Sequence, residues 1–114
     1  MESIFHIVAE PEWRAACELG SYAPESLAAD GFVHFSYARQ VAATANRFYR
    51  DRTELIVIEV EPGRLAEPVV DEDLYGAGDL FPHVYGAIPT SAAVAEHPLP
   101  RGPDGDYRFG PGEQ

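Results

Sequence analysis

Apolar residues fill both sides of the first extended stretch. Ile4, His6 and Val8 share one face and Phe5 and Ile7 the other, so residues 3–9 read as an interior strand. Glu10-Pro11-Glu12 then opens a helix, with proline in its first turn and two carboxylates on its N-terminal dipole. Trp13, Ala16, Cys17 and Leu19 form its expected buried stripe, and Gly20 its end. Residues 21–30 are a connector with one helical turn at 24–29. A second strand follows at 32–35, and Ser36 stands where it would cap a helix over 37–49. Ala38, Val41, Ala42, Ala45 and Phe48 or Tyr49 give that helix its apolar side; Arg39, Asn46, Arg47 and Arg50 lie opposite.

The run Leu55-Ile56-Val57-Ile58, inside a strand over 54–60, predicts burial on both faces. Shorter signals give a strand at 68–71, a glycine-containing loop at 74–79 and a returning strand at 81–88 with Pro82 at its start. A last strand or short helix falls at 91–97. From Arg101 on, glycine, proline and charge predict a flexible tail over 101–114, with Tyr107 and Phe109 docking on the body. The element order predicts one α+β domain over 1–100, with two main helices on a small split or strongly bent sheet, mixed or antiparallel.

Composition narrows the function. The 114 residues carry a formal charge of −11, and all eight basic residues are arginine. Bulk nucleic acid and anionic membrane are disfavoured as partners, although a local arginine patch can override that at a site. One cysteine, Cys17, excludes an internal disulfide and a thiolate zinc cage, and it reads as a small buried residue. Neither a signal peptide nor an apolar run of membrane-spanning length is present, so the expectation is a cytoplasmic protein.

The candidate chemistry rests on histidine. Three of the four lie in apolar settings: His6 in Ile4-Phe5-His6-Ile7-Val8, His34 in Gly31-Phe32-Val33-His34-Phe35-Ser36, and His83 in Phe81-Pro82-His83-Val84-Tyr85-Gly86. Burying imidazole without partners is costly, so their recurrence suggests one shared polar cleft. Ser36 shares a strand face with His34, and Tyr85 with His83, where an aromatic ring can stack a planar ligand. Glu72, in the acidic run Asp71-Glu72-Asp73, is a candidate general base, and Arg47 a candidate phosphate contact. His97, between Glu96 and Pro98, reads as solvent-exposed. Three histidines and a carboxylate are also metal donors, which keeps a metal-dependent hydrolase as an alternative, although no compact ligand motif occurs. A non-catalytic small-ligand module is the other alternative. Glycine-rich dinucleotide, P-loop and nucleophile-elbow motifs are absent.

The segments Ile4-Phe5-His6-Ile7, Trp13, Gly31-Phe32-Val33-His34-Phe35-Ser36, Ala45-Asn46-Arg47-Phe48-Tyr49 and Phe81-Pro82-His83-Val84-Tyr85-Gly86 occur in order. Together they resemble the small bacterial family known as domain of unknown function 952, over roughly residues 3–95. That family looks like a remote member of the ADP-ribosyltransferase-like superfamily, which includes RNA 2′-phosphotransferases. The resemblance implies two small antiparallel sheets splayed around a cleft for NAD as cofactor or substrate. It assigns His6 to holding NAD, and His34 and Ser36 to the nicotinamide ribose. A late glutamate normally bonds the ribose 2′-hydroxyl. Here the late strand offers His83 and Tyr85, and its loop Glu72. The implied activities are NAD or ADP-ribose binding, NAD cleavage or transfer, or a related phosphate transfer on a small nucleotide.

Overall fold

The computed structural model describes residues 2–73, 76 and 78–109. Strand β1 (Ile4–Ala9) runs directly into helix α1 (Glu10–Leu19), followed by β2 (Ser21–Tyr22) and the short helix α2 (Glu25–Asp30). Strand β3 (Val33–His34) leads through a 3-10 turn at Ala38–Gln40 into helix α3 (Val41–Phe48). The rest is strands: β4 (Leu55–Val60), β5 (Val69–Glu72), β6 (Phe81–Val84), β7 (Ile88–Pro89) and β8 (Ala93–Pro98).

β4 lies between β1 and β8, β6 lies between β3 and β5, and β2 pairs with β7. Each of these pairings is antiparallel, so the α+β expectation stands with its sheets antiparallel and not mixed. Among the described residues the two three-stranded sheets meet at one bridge. Phe5 and Ser36 exchange both backbone hydrogen bonds, at 2.7 and 2.8 Å. From that joint the sheets part.

β1 and β4 bury both faces, as their apolar patterns predict. Ile4 and Val8 with Ile58 and Val60 pack against Trp13, Tyr22, Val33, Phe35, Val84 and Ile88. On the other face Phe5, Ile7, Leu55 and Val57 pack against Val41 and Ala45 of α3 and against Leu99, Tyr107 and Phe109. The two aromatics of the C-terminal segment thus dock on the body as expected. Phe109 is 1% exposed and Tyr107 4%. Two aromatics supply the buried area that the glycine, proline and charge around them lack. Residues 110–114 of that expected tail lie outside the described residues, as do Leu74, Tyr75 and Ala77 of the expected loop.

Other local expectations also change. Cys17 is exposed and Leu19 is 82% exposed, because α1 turns only its Trp13–Ala16 edge inward. Ser36 does not cap a helix: its backbone pairs with Phe5, and Tyr37 precedes the 3-10 turn instead, closed by Gln40 Oε1 on the Tyr37 N–H at 2.9 Å. On α3, Tyr49 packs inward and Phe48 stays 67% exposed. The strand expected over 81–88 divides into β6 and β7, which join different sheets. Gly86 sits at the division, where a Cβ would come within 2.6 Å of Glu67 Cγ. His97 is half-buried, bonded to Glu59 at 2.8 Å and edge-on to the Phe109 ring, and so is not solvent-exposed. Among the described residues no helix is long and apolar enough to cross a membrane.

Candidate functional site

Strand register brings the candidate residues together. β3 and β6 set His34 opposite His83, and β6 and β5 set His83 opposite Val70 and Phe81 opposite Glu72. Glu72 is two residues from Val70, so it shares the His83 face one step along, at the diagonal distance that long side chains cross. Its Oε1 accepts from His83 Nδ1 at 2.8 Å and from the Tyr85 hydroxyl at 2.6 Å. These two bonds, Tyr85 first, hold the Glu72 carboxyl below the usual carboxylate range.

A carboxylate on Nδ1 fixes the His83 tautomer. In that tautomer Nδ1 carries a proton and Nε2 is an acceptor. Among the described residues no buried side-chain nitrogen or oxygen lacks a partner, and Nδ1 is the partnered atom of His83. Nε2 therefore opens onto the cleft that His83 lines. Phe32 stacks on the imidazole at 4.1 Å and 23°, and His34 meets it edge-on at 5.4 Å. The ring is thus held by an acid, an apolar plane and a second imidazole.

His34 Nε2 donates to Asp30 Oδ2 at 3.1 Å. Gly31, at φ 86, makes that contact geometrically available: it ends α2 in the left-handed conformation and doubles the chain back toward β3. Ser36 lines the cleft floor and places its hydroxyl 3.5 Å from Thr44 Oγ1 of α3.

His6 has a different part. Its Nδ1–H donates to the His34 carbonyl at 2.5 Å, and Nε2 accepts from the Tyr22 hydroxyl at 2.7 Å. Both nitrogens face protein partners. Burial holds the ring neutral, with its pKa lowered from 6.5 to about 4. His6 borders the cleft and supports the strand that carries His34.

The cleft encloses about 790 Å³. His34, Ser36, Glu72, His83 and Phe81 come from the sheet side, and Thr44, Arg47 and Phe48 from α3. A smaller hollow of about 250 Å³ adjoins it and shares His34, Tyr49 and Arg52. Of the residues proposed from sequence, His6, His34, Ser36, Arg47, Glu72 and His83 converge here. Tyr85 lies outside the lining: it touches Phe32 at 5.2 Å and reaches the site through Glu72, so it does not form a wall. Arg52 is a further lining residue, and Phe32 and Asp30 back the site histidines His83 and His34 from outside the lining. Asp30 precedes His34 by four positions, a spacing visible in the chain; Arg52 lay in an apparent break with no pattern around it.

The three-histidine metal reading loses its donors. Both nitrogens of His6 are engaged, and among the described residues no cluster of three histidine, cysteine or carboxylate groups is placed to hold a metal ion.

The fold is shared with solved structures. Protein CC0527 from Caulobacter crescentus is 32% identical in its X-ray structure, with a TM-score of 0.83 and 96% of each chain covered. Its solution NMR structure gives 32% identity and a TM-score of 0.82, covering 97% of this chain and 96% of that one. No curated protein matches the sequence. Residues 7–96 match the family described as "Protein of unknown function (DUF952)", and the chain belongs to that family.

Proposed function

We propose that the cleft binds NAD or a related ADP-ribose-type nucleotide, in the manner of an ADP-ribosyltransferase-like fold, with His83 as its working base. The observation that carries this reading is the Tyr85–Glu72–His83 chain ending in an acceptor nitrogen on a cleft of about 790 Å³. That volume is in the range that takes small-molecule ligands. His83 Nε2 accepts from a ribose hydroxyl, His34 and the Ser36 hydroxyl flank the sugar, and the exposed Phe48 ring offers a face to a base.

For cleavage or transfer, the bond between ribose C1′ and the nicotinamide nitrogen breaks, and nicotinamide leaves with the electron pair. Water or an acceptor hydroxyl adds to C1′ and gives its proton to Nε2. Glu72 then stabilises the imidazolium and keeps the ring oriented, as a carboxylate does for a catalytic histidine. Glu72 thus acts through His83 and does not itself meet the ribose.

Calorimetric titration with NAD and ADP-ribose tests the reading. His83→Gln, which preserves bulk, and His34→Ala should each weaken binding at least tenfold while far-ultraviolet circular dichroism is unchanged; Glu72→Gln should have a smaller effect. Equal affinity in wild type and His83→Gln refutes the assignment. Nicotinamide release in proportion to protein concentration distinguishes an enzyme from a binding module.

A further inference from the structure

We infer that Arg47 and Arg52 form an anion subsite on the α3 side of the cleft, taking the phosphate or diphosphate of the bound small molecule. The inference deepens the nucleotide reading and rests on it for the kind of molecule that carries the phosphate.

Charge pairing points to these two residues. The chain has 19 acidic residues and 8 arginines, so carboxylates are abundant. Arg14 pairs with Glu10 and Glu96, Arg39 with Asp79, Arg50 with Asp106, Arg64 with Glu61 and Arg108 with Asp104. Arg101 is held by backbone carbonyls and lies 4.2 Å from the centre of the Tyr107 ring. Among the described residues Arg47 and Arg52 have no carboxylate partner, and both line the cleft. Their neighbours are aromatic: Arg47 lies 5.1 Å from the Phe48 ring and Arg52 5.7 Å from the Tyr49 ring.

The carboxylates across the cleft do not neutralise them. Glu72 is bonded to His83 and Tyr85, Asp73 accepts the Gly78 N–H at 3.0 Å, and Asp79 is bonded to Arg39 and Gln40, which lowers the Asp79 pKa to about 2. Two arginines lining one cavity, in a chain this acidic, match a ligand bearing negative charge at that end. Arginine's planar fork suits phosphate oxygens.

The turn that carries Arg52 is also built to stay in place. The Arg52 carbonyl accepts from Arg101 Nη2 at 3.0 Å and lies 2.9 Å from the Tyr107 hydroxyl, which is the same distance from the Tyr49 carbonyl. Arg101 bonds the Arg50 carbonyl as well. Asn46 of α3 brackets the Tyr107 backbone, accepting its N–H at 2.7 Å and donating to its carbonyl at 3.3 Å. The segment over 99–109, beyond the family-matched residues 7–96, thus holds the cationic end of the cleft. Such pre-organisation lowers the ordering cost of binding.

The test is calorimetry on the full chain at low salt, with inorganic pyrophosphate and ADP-ribose as probes. The expected result is saturable pyrophosphate binding, weakened about tenfold or more by Arg47→Gln and by Arg52→Gln and lost in the double variant. Arg64→Gln, which removes an ion-paired arginine elsewhere, should change nothing. No saturable binding of millimolar pyrophosphate by wild type, or binding insensitive to both variants, overturns the subsite. Full ADP-ribose affinity in the double variant overturns it too and leaves the nucleotide reading standing. Arginine-dependent pyrophosphate binding without ADP-ribose binding supports the subsite and refutes the nucleotide reading.

Discussion

His6 makes the stability of this protein depend on pH in a window that can be isolated. Its ring is 7% exposed and bonded at both nitrogens, and burial lowers its pKa from 6.5 to about 4. The unfolded chain takes up a proton near pH 6.5, whereas the folded chain resists until about pH 4. The neutral ring's contribution is therefore complete above 6.5, declines as pH falls below it and is exhausted near 4. At about 1.4 kcal/mol per pH unit, the ceiling is about 3 kcal/mol, with about 2 kcal/mol lost by pH 5. The matched perturbation is His6→Gln, which stays uncharged throughout. Urea denaturation at pH 7 and pH 5, wild type against variant, cancels the other histidines. Wild type should lose about 2 kcal/mol more than the variant over that interval, which lowers its urea midpoint by about an additional 1 M. Glu59, Glu96 and Asp104, whose pKa values are lowered mainly by hydrogen bonds from His97, Arg14 and the Asp106 backbone, act below the pH 7 to 5 interval measured. Parallel pH slopes for the two proteins would show that the His6 ring is not held neutral, and the tautomer assigned to it would fall.

Two further outcomes concern the scaffold. Phe109→Ala removes a ring that is 1% exposed and packs edge-on against Phe5 at 5.4 Å, and should cost about 3–5 kcal/mol by thermal or urea unfolding; a cost under about 1 kcal/mol would mean that the C-terminal segment does not belong to the core. Glu54 is exposed and left-handed at φ 57, so Glu54→Gly should raise stability by up to about 1 kcal/mol, whereas a comparable loss would show that the carboxylate has a structural partner.

The sequence displayed some of this and hid the rest for identifiable reasons. Two-sided burial of β1 and β4 is legible because apolar residues stand on both parities of each strand. That His34 and His83 meet follows from the β3–β6 register, a long-range pairing that no local pattern encodes. The partners of His6 were invisible for the same reason: one is a carbonyl on another strand and the other the Tyr22 hydroxyl. Ser36 looked like a helix cap because serine before an amphipathic run usually is one, but a backbone pairing with Phe5 took precedence. Composition suggested a tail after Arg101, and the two aromatic residues expected to dock from it, Tyr107 and Phe109, are buried. Glu72 stood out as a candidate base in the acidic run Asp71-Glu72-Asp73, but that it works through His83 follows from the β5–β6 register, which the run does not encode.

The Phe5–Ser36 joint sits in the floor of the cleft, since both residues line it. An occupant therefore lies across the seam and touches leaves of the protein that share one backbone bridge there. Filling the cleft adds a second fastening between them, and the linkage runs both ways: what holds the leaves together also holds the occupant. The two amides of the joint, Phe5 N–H and Ser36 N–H, are natural reporters of that fastening. Hydrogen exchange at these positions should slow on ligand binding even though neither amide touches the ligand, which lets occupancy be read from the scaffold alone.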